Sequence, residues 1–290
     1  MSIKKVKNGN QMKILITGAT GKVGSRLAQY FLNQKEDIRL LVRDKNRAAS
    51  LKEQGAEIIV GDLTNLEDLK KAVNGIDVVI HTAAAFRGVS DETQKSINLD
   101  ATIHLAKVAL EASVQRFIFA STTNVYLGNT LNRPATENDE PTGTATYPAS
   151  KIAAEKGLHK LLDGTATELV ITRFGLVYGD NDPHLSELAP YLTERHPEKL
   201  NSLVHHTDID RALLQIVRTK DLKHDLYNIV DDSETSIADI LSIENIAQER
   251  PTDNAYTKWE SVASNHRLKE DFGFSFLYPS ITDAKDANAL

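Results

Sequence analysis

Tyr147 and Lys151 stand at the head of a segment, residues 152–162, that reads as a helix, and Pro148 suits its first turn. Residues four apart on a helix share a face, so the spacing sets a phenol beside an ammonium. A neighbouring ammonium favours the phenolate and draws tyrosine from its ordinary pKa of about 10 toward the range of a general acid or base. A Tyr-x-x-x-Lys spelling arises easily by chance, so its position has to carry the argument. Upstream, Thr122 lies in Ser121-Thr122-Thr123-Asn124, directly after the apolar run 116–120. Hydroxyls at the carboxyl end of a parallel strand face the crevice where ligands bind. A Ser/Thr-rich loop is the alternative reading of that stretch. A hydroxyl, a phenol and an ammonium together form an apparatus for moving a proton on or off a carbonyl or alcohol oxygen.

A second group of residues suits an anion. Residues 13–16 read as a buried strand, Gly18, Gly21 and Gly24 follow at a spacing of three, and residues 23–31 carry apolar side chains at helical intervals. Strand, glycine turn and helix start make a phosphate cradle, in which Thr20, Lys22 and Val23 fill the turn. Its free N–H groups and the positive end of the helix dipole attract a pyrophosphate. The pattern departs from the Gly-x-Gly-x-x-Gly dinucleotide fingerprint, and an ordinary strand-to-helix turn is the alternative.

Stepping along the chain, strands at 38–42, 57–60, 77–80 and 116–120 alternate with helical stretches at 22–33, 46–54, 66–73 and 92–113. That alternation predicts a doubly wound α/β fold, a parallel sheet with helices on both faces. Val42 occupies the place where an acidic side chain binds ribose hydroxyls in NAD-preferring sites, and Arg43 follows it, which favours NADP(H) over NAD(H). Arg43 as a solvated loop charge, or Asp44 turned toward a ribose, are the alternatives. Asp62, with Leu63 after it, is placed either to meet an adenine amino group or to cap the helix that follows. Ala83 and Ala84 are small enough for a cofactor to lie against the backbone, and His81 is read as structural.

The composition sets the class. The chain has 290 residues, 41% apolar and 26% charged, and no cysteine, which excludes disulfides, thiolate metal sites and a cysteine nucleophile. A net charge of −6 without a dense basic block disfavours nucleic acid. No run approaches a membrane span, so a cytoplasmic location is expected. Met12 directly before the first strand predicts that residues 1–11 are a disordered extension or reflect an upstream start codon.

Taken together these stretches resemble the extended short-chain dehydrogenase/reductase family, the NAD(P)-dependent epimerase/dehydratase group, with features of dihydroflavonol-reductase-like carbonyl reductases. The resemblance matches residues 17–24 to the family's glycine motif, Gly61-Asp62-Leu63 to its adenine contact and residues 81–85 to the loop behind the cofactor. Asn98 falls in an Asn-x-x-Gly-Thr-like segment with Ala101 in the glycine's place. Thr122 aligns with the catalytic Ser/Thr, and Tyr147 and Lys151 with the defining pair. Downstream, residues 173–179 resemble Arg-Pro-Gly-x-Val-Tyr-Gly with Phe174 replacing proline, residues 205–209 resemble His-Val-Asp-Asp-Val, and Tyr227-Asn228-Ile229 resembles the returning strand. The adjacent His205 and His206 lack a third ligand at a diagnostic spacing, so no metal is predicted.

The resemblance implies a Rossmann domain over residues 12–178 and a small substrate lobe over 179–290, with segments near 204–230 returning to the Rossmann domain. It implies reversible hydride transfer at a carbonyl or alcohol carbon, with Tyr147 exchanging the proton, Lys151 lowering its pKa and holding the nicotinamide ribose, and Thr122 polarising the substrate oxygen. A nucleotide-sugar epimerase or dehydratase that retains its cofactor is the first alternative. A non-catalytic NADP(H)-sensing regulator is the second, and such proteins generally lack the Tyr-x-x-x-Lys pair. The expected partners are a carbonyl, alcohol or sugar-nucleotide substrate and, through helices near 92–113 and 147–161, a second copy of the chain.

Overall fold

A computed structural model describes residues 11–248 and 256–290. The expected N-terminal extension, Gln11 apart, lies outside the described residues. The first half runs β1 (Lys13–Thr17), α1 (Lys22–Asn33), β2 (Asp37–Val42), α2 (Ala49–Glu53), β3 (Glu57–Val60), α3 (Leu66–Val73), β4 (Val78–His81), α4 (Asp91–Lys95), α5 (Thr102–Glu111), β5 (Arg116–Thr122), α6 (Thr146–Leu162) and β6 (Glu168–Phe174). Then come β7 (Leu176–Tyr178), α7 (His184–Leu192), β8 (Leu200–His205), α8 (His206–Arg218), β9 (Leu226–Ile229), β10 (Glu234–Ser236), α9 (Ile237–Ile243), α10 (His266–Phe272) and α11 (Ile281–Asp286).

Seven strands form one parallel sheet in the order β3-β2-β1-β4-β5-β6-β9. It is the Rossmann-like architecture expected from the alternation of elements. Alternate residues of each strand face opposite sides. On one side Ile14, Ile16, Ile80 and Ile118 meet Leu27 and Phe31 of α1 and Leu213 and Val217 of α8. On the other, Leu15, Val79, Phe117 and Phe119 meet Leu69 of α3, Leu105 of α5 and Leu158 of α6. Covering both faces is what a parallel sheet requires, and it explains the unbroken apolar runs from Ile14 to Ile16 in β1 and from Phe117 to Ala120 in β5. Successive strands run outward from β1 to β3 and then resume at β4 on its other flank. The carboxyl ends of β1 and β4 therefore open a crevice at the point where strand order reverses.

A three-stranded sheet, β10-β8-β7, sits beyond β6, with β7 and β8 parallel and β10 antiparallel to β8. The chain leaves the main sheet after Phe174, enters this sheet, and returns through α8 and β9, which pairs with β6 from Leu226 to Ile229. Among the described residues no helix is long and apolar enough to cross a membrane.

Two helical expectations need correction. The stretch 46–54 divides into a 3₁₀ turn, Lys45–Ala48, and α2, because the Asp44 carboxylate accepts a hydrogen bond from Asn46 N (2.9 Å) and tightens the start. The stretch 92–113 is interrupted between α4 and α5 by a wide turn, Ser96–Ala101, of the π type. Such bulges rotate the following residues without ending the helix.

Buried polar contacts fix α6 against the sheet. Arg173 of β6 holds Glu155 of α6 through two hydrogen bonds (3.1 and 2.5 Å) and donates to the Tyr126 hydroxyl (2.6 Å). Ser121 of β5 donates to the same carboxylate (2.5 Å). Arg173 and Glu155 are 3% and 4% exposed, so removing one partner strands a charge in the interior. Arg173→Met is expected to cost about 3–5 kcal/mol in urea unfolding, and the double variant with Glu155→Gln to recover much of that loss.

Candidate active site

The crevice at the strand reversal widens into a cleft of about 910 Å³ that extends to β7, β8 and α7. Every candidate residue read from the sequence lines it: Gly18, Thr20, Gly21, Lys22, Val23 and Gly24 at the glycine turn, Arg43, Asp62 and Leu63 on one flank, Ala83 and Ala84 behind, and Thr122, Tyr147 and Lys151 opposite.

The glycine turn fits a pyrophosphate. Gly18 has φ +75°, and a side chain there would run into the backbone of Ala83, with Cβ only 2.6 Å from its nitrogen. A Cβ on Gly24 would strike the Gly18 carbonyl. The first and third glycines thus let β1, α1 and the loop after β4 close on one another. α1 begins at Gly21 with no side-chain cap and no acidic residue in its first turn, which leaves N–H groups and the positive dipole end for a ligand.

A buried chain of hydrogen bonds ties the cleft's two sides together. Thr17 of β1 is 2.6 Å from Nδ1 of His81 on β4, and Nε2 of His81 is 2.9 Å from the Thr102 hydroxyl. The Thr102 hydroxyl donates to the Asn98 carbonyl (2.9 Å), so it accepts from Nε2–H, and the Thr17 hydroxyl donates to Nδ1. Burial, reinforced by the charge of Lys151, pushes His81 down to about 3, consistent with this neutral tautomer. His81 is structural, as the sequence suggests. The π-type turn aims the Asn98 side chain inward, where it pairs with both backbone groups of Ala85 (2.7 and 2.8 Å). Its Nδ2 also donates to Ser150 (3.0 Å), whose hydroxyl donates to the Tyr147 carbonyl (2.7 Å).

Thr122, Tyr147 and Lys151 stand beside these supports. Thr122 ends β5, and its hydroxyl oxygen accepts from Asn124 N (3.2 Å), which leaves its own proton for a ligand. The Tyr147 ring packs on Phe86, with centroids 4.4 Å apart. Lys151 is 2% exposed, donates to the Ala120 carbonyl (2.7 Å) and lies over the Phe119 ring. The expected lowering of the tyrosine by the lysine is not found. Burial raises Tyr147 to about 12 with no charge to offset it. Burial also lowers Lys151 to about 7, opposed by the carboxylate of Glu155. The ammonium is turned to a backbone carbonyl instead of the phenol, so Tyr147 keeps its proton at neutral pH.

Other placements depart from the expectations or add to them. Asn65, not Asp62, caps α3, accepting from Glu67 N and Asp68 N. Asp62 accepts from the Thr64 N–H (2.8 Å) and hydroxyl (2.7 Å); these bonds hold its carboxyl below the ordinary value and Arg43 adds to them. Arg47, not singled out in the sequence, lines the cleft beside Arg43 and donates to the Thr20 carbonyl (2.9 Å). Lys22 reaches across to Asp182 (3.1 Å) and Glu187 (2.6 Å), clasping the glycine turn to the far wall. Burial opposes ionisation of Asp182, but His206 and Lys22 outweigh it and hold the carboxyl at about 2. Lys199 pairs with Glu260 in the same wall. His205 and His206 face different partners, the Ala289 carbonyl and Asp182, and among the described residues no group is placed to hold a metal ion.

Comparison with known proteins agrees with this arrangement. The sequence model of the NAD dependent epimerase/dehydratase family matches residues 14–229. The chain belongs to this family. It is therefore an NAD(P)-dependent enzyme of the extended short-chain dehydrogenase/reductase type. This epimerase/dehydratase family member is 29% identical over 257 residues to a UDP-glucose 4-epimerase of Vibrio cholerae, an alignment spanning 82% of this chain and 76% of the relative. A UDP-glucuronic acid 4-epimerase from Bacillus cereus, solved with UDP-glucuronic acid and NAD, shares the fold at a TM-score of 0.78 and 22% identity, over 96% of this chain and 97% of that one. A short-chain dehydrogenase/reductase superfamily protein from Agrobacterium tumefaciens with bound NAD superposes with a TM-score of 0.76 at 20% identity, over 95% of both chains. The family's glycine turn and Tyr-x-x-x-Lys pair stand here at opposite sides of one cleft.

Acid should loosen this site through His81. A buried histidine held down at about 3 takes up its proton more readily when unfolded, so stability is full above pH 6.5 and declines as pH falls from there toward 3. Urea unfolding across that window is expected to lose about 1.4 kcal/mol per pH unit for this one proton, and His81→Gln to flatten the slope by that amount.

Proposed function

We propose that this epimerase/dehydratase family member carries out reversible hydride transfer between a nicotinamide dinucleotide and a carbonyl or alcohol carbon. The observation that supports the reading is the meeting of Thr122, Tyr147 and Lys151 in a cleft that also holds the uncapped start of α1. A bound nicotinamide supplies the hydride donor and acceptor. The Thr122 hydroxyl donates to the substrate oxygen and orients it. Tyr147, protonated through the neutral range, gives its phenolic proton to that oxygen as the carbonyl is reduced and takes it back in the reverse direction. Lys151 spends one N–H on Ala120 and offers its remaining donors to a ribose hydroxyl. Phe86 covers the tyrosine and keeps water from the transfer.

A retained cofactor with hydride returned to the same substrate, as in a nucleotide-sugar epimerase or dehydratase, is the second reading. The similarity to the Vibrio cholerae UDP-glucose 4-epimerase supports it. The same trio serves both, since each passes hydride and a proton between a carbinol and its carbonyl. Nicotinamide absorbance carried through purification favours this second reading, and cofactor-free protein that turns over added NADPH favours the first.

The cofactor we assign is NADP(H). Arg43 and Arg47 both line the adenosine end of the cleft, and Asp44, the carboxylate nearest to them in sequence, is committed to Asn46 N. Two guanidinium groups side by side suit a 2′-phosphate.

Tyr147→Phe is expected to lower turnover by about 10²–10⁴-fold on a confirmed substrate while cofactor titration remains measurable; full activity would remove the assignment. Arg43→Ala with Arg47→Ala is expected to weaken NADPH in thermal-shift titration by about tenfold or more and to leave NADH little changed. Equal effects on both cofactors would overturn the NADP(H) preference.

A further inference from the structure

Arg87 stands where the loop after β4 meets α7, exposed and lining the catalytic cleft. Its guanidinium carbon lies 4.8 Å from the ring centroid of Phe86 and 4.5 Å from that of Tyr191 on α7. Phe86 in turn packs on Tyr147 at 4.4 Å between centroids. The cation is thus carried by one wall, braced on an aromatic ring from the other, and set one ring away from the proton-exchanging phenol.

Aromatic rings take the faces of a guanidinium and leave its in-plane N–H donors available. Among the described residues no carboxylate pairs with Arg87, and none of its five N–H groups has a hydrogen-bond partner. Two other cations of this region differ. Lys22 is matched by Asp182 and Glu187, and Lys199 by Glu260. The charges of Lys22 and Arg87 both reach His184 in the same wall and, after burial, help to keep it unprotonated. An unmatched planar fork at the cleft mouth is a receptor for a two-oxygen anion.

We propose that Arg87 anchors the substrate by binding an oxyanion, a carboxylate or a phosphoryl group, that the substrate carries close to its reacting carbon. The planar fork takes the two oxygens side by side, and the rings of Phe86 and Tyr191 hold the fork in one orientation. The reacting carbon is thereby set against Tyr147 and Thr122. Uncharged carbonyl compounds of the same size lack this anchor and are discriminated against. The inference rests on Tyr147 being the group that exchanges the proton.

The test is equilibrium binding to the enzyme saturated with oxidised cofactor, which involves no turnover and so fails or succeeds independently of the Tyr147 chemistry. Malonate and inorganic phosphate are titrated separately by calorimetry into wild type, Arg87→Met and Arg87→Lys, with dimethyl malonate as the uncharged control. One of the two anions is expected to bind wild type, roughly tenfold or more weakly to Arg87→Met, and with intermediate affinity to Arg87→Lys, which keeps the charge and loses the fork. Malonate binding marks a carboxylate substrate and phosphate binding a phosphorylated one. The proposal is overturned if neither anion binds wild type, if Arg87→Met binds as tightly as wild type, or if dimethyl malonate binds as well as malonate.

Discussion

The site depends on one buried, neutral histidine. His81 joins β1 to β4 at the place where strand order reverses, and its two ring nitrogens can serve both threonine hydroxyls only if one donates and the other accepts. That requirement fixes the direction of every hydrogen bond in the run from Thr17 to Asn98. Asn98 then positions the loop after β4 and, through Ser150, the first turn of α6. A proton added to His81 would remove the acceptor that Thr17 needs. The Tyr147 phenol is therefore placed by a relay that begins on the opposite side of the crevice.

At Tyr147 and Lys151 the electrostatics follow from burial more than from pairing. Tyr147 and Lys151 share a helix face, as four-residue spacing requires, yet desolvation moves the phenol up and the ammonium down. The pair is best described as a protonated acid beside a lysine whose charge is weakly held. Glu155, one turn further along α6, is the nearest restraint on that charge, and it is itself held by Arg173 and Ser121. The helix register thus couples the lysine to the sheet, and the same contacts that stabilise α6 set the protonation of the site.

Much of the architecture was legible in the residues because its signals are local. The glycine spacing, the alternation of apolar strands and amphipathic helices, and the Tyr147-Lys151 interval are each contained within a dozen or so residues. What escaped requires distant parts of the chain to meet. The wide turn at Ser96–Ala101 has no sequence signature and becomes intelligible only when Asn98 is found bonded to Ala85. Arg47 and Arg87 belong to no motif and gain a place only when the fold sets them on the cleft, and Lys22 meets its carboxylates more than 150 residues away. The apposition of a tyrosine and a lysine suggested a lowered phenol pKa, and only burial, which is a property of the whole fold, reverses it.

The return of β9 to the main sheet bears on how such enzymes can be altered. β6 finds its outer neighbour in a strand that follows the whole β7–α8 excursion, so a chain ending at Tyr178 would present β6 as a bare edge with unpaired N–H and C=O groups. The main sheet is thus completed by a strand supplied from beyond the β7–α8 excursion. Loops that face the cleft are free to vary, but a lobe transplanted from a relative has to bring a strand that fits β6 in register. Recombination between family members would accordingly succeed at loop boundaries on either side of β9 and fail where the crossover separates β9 from its seat.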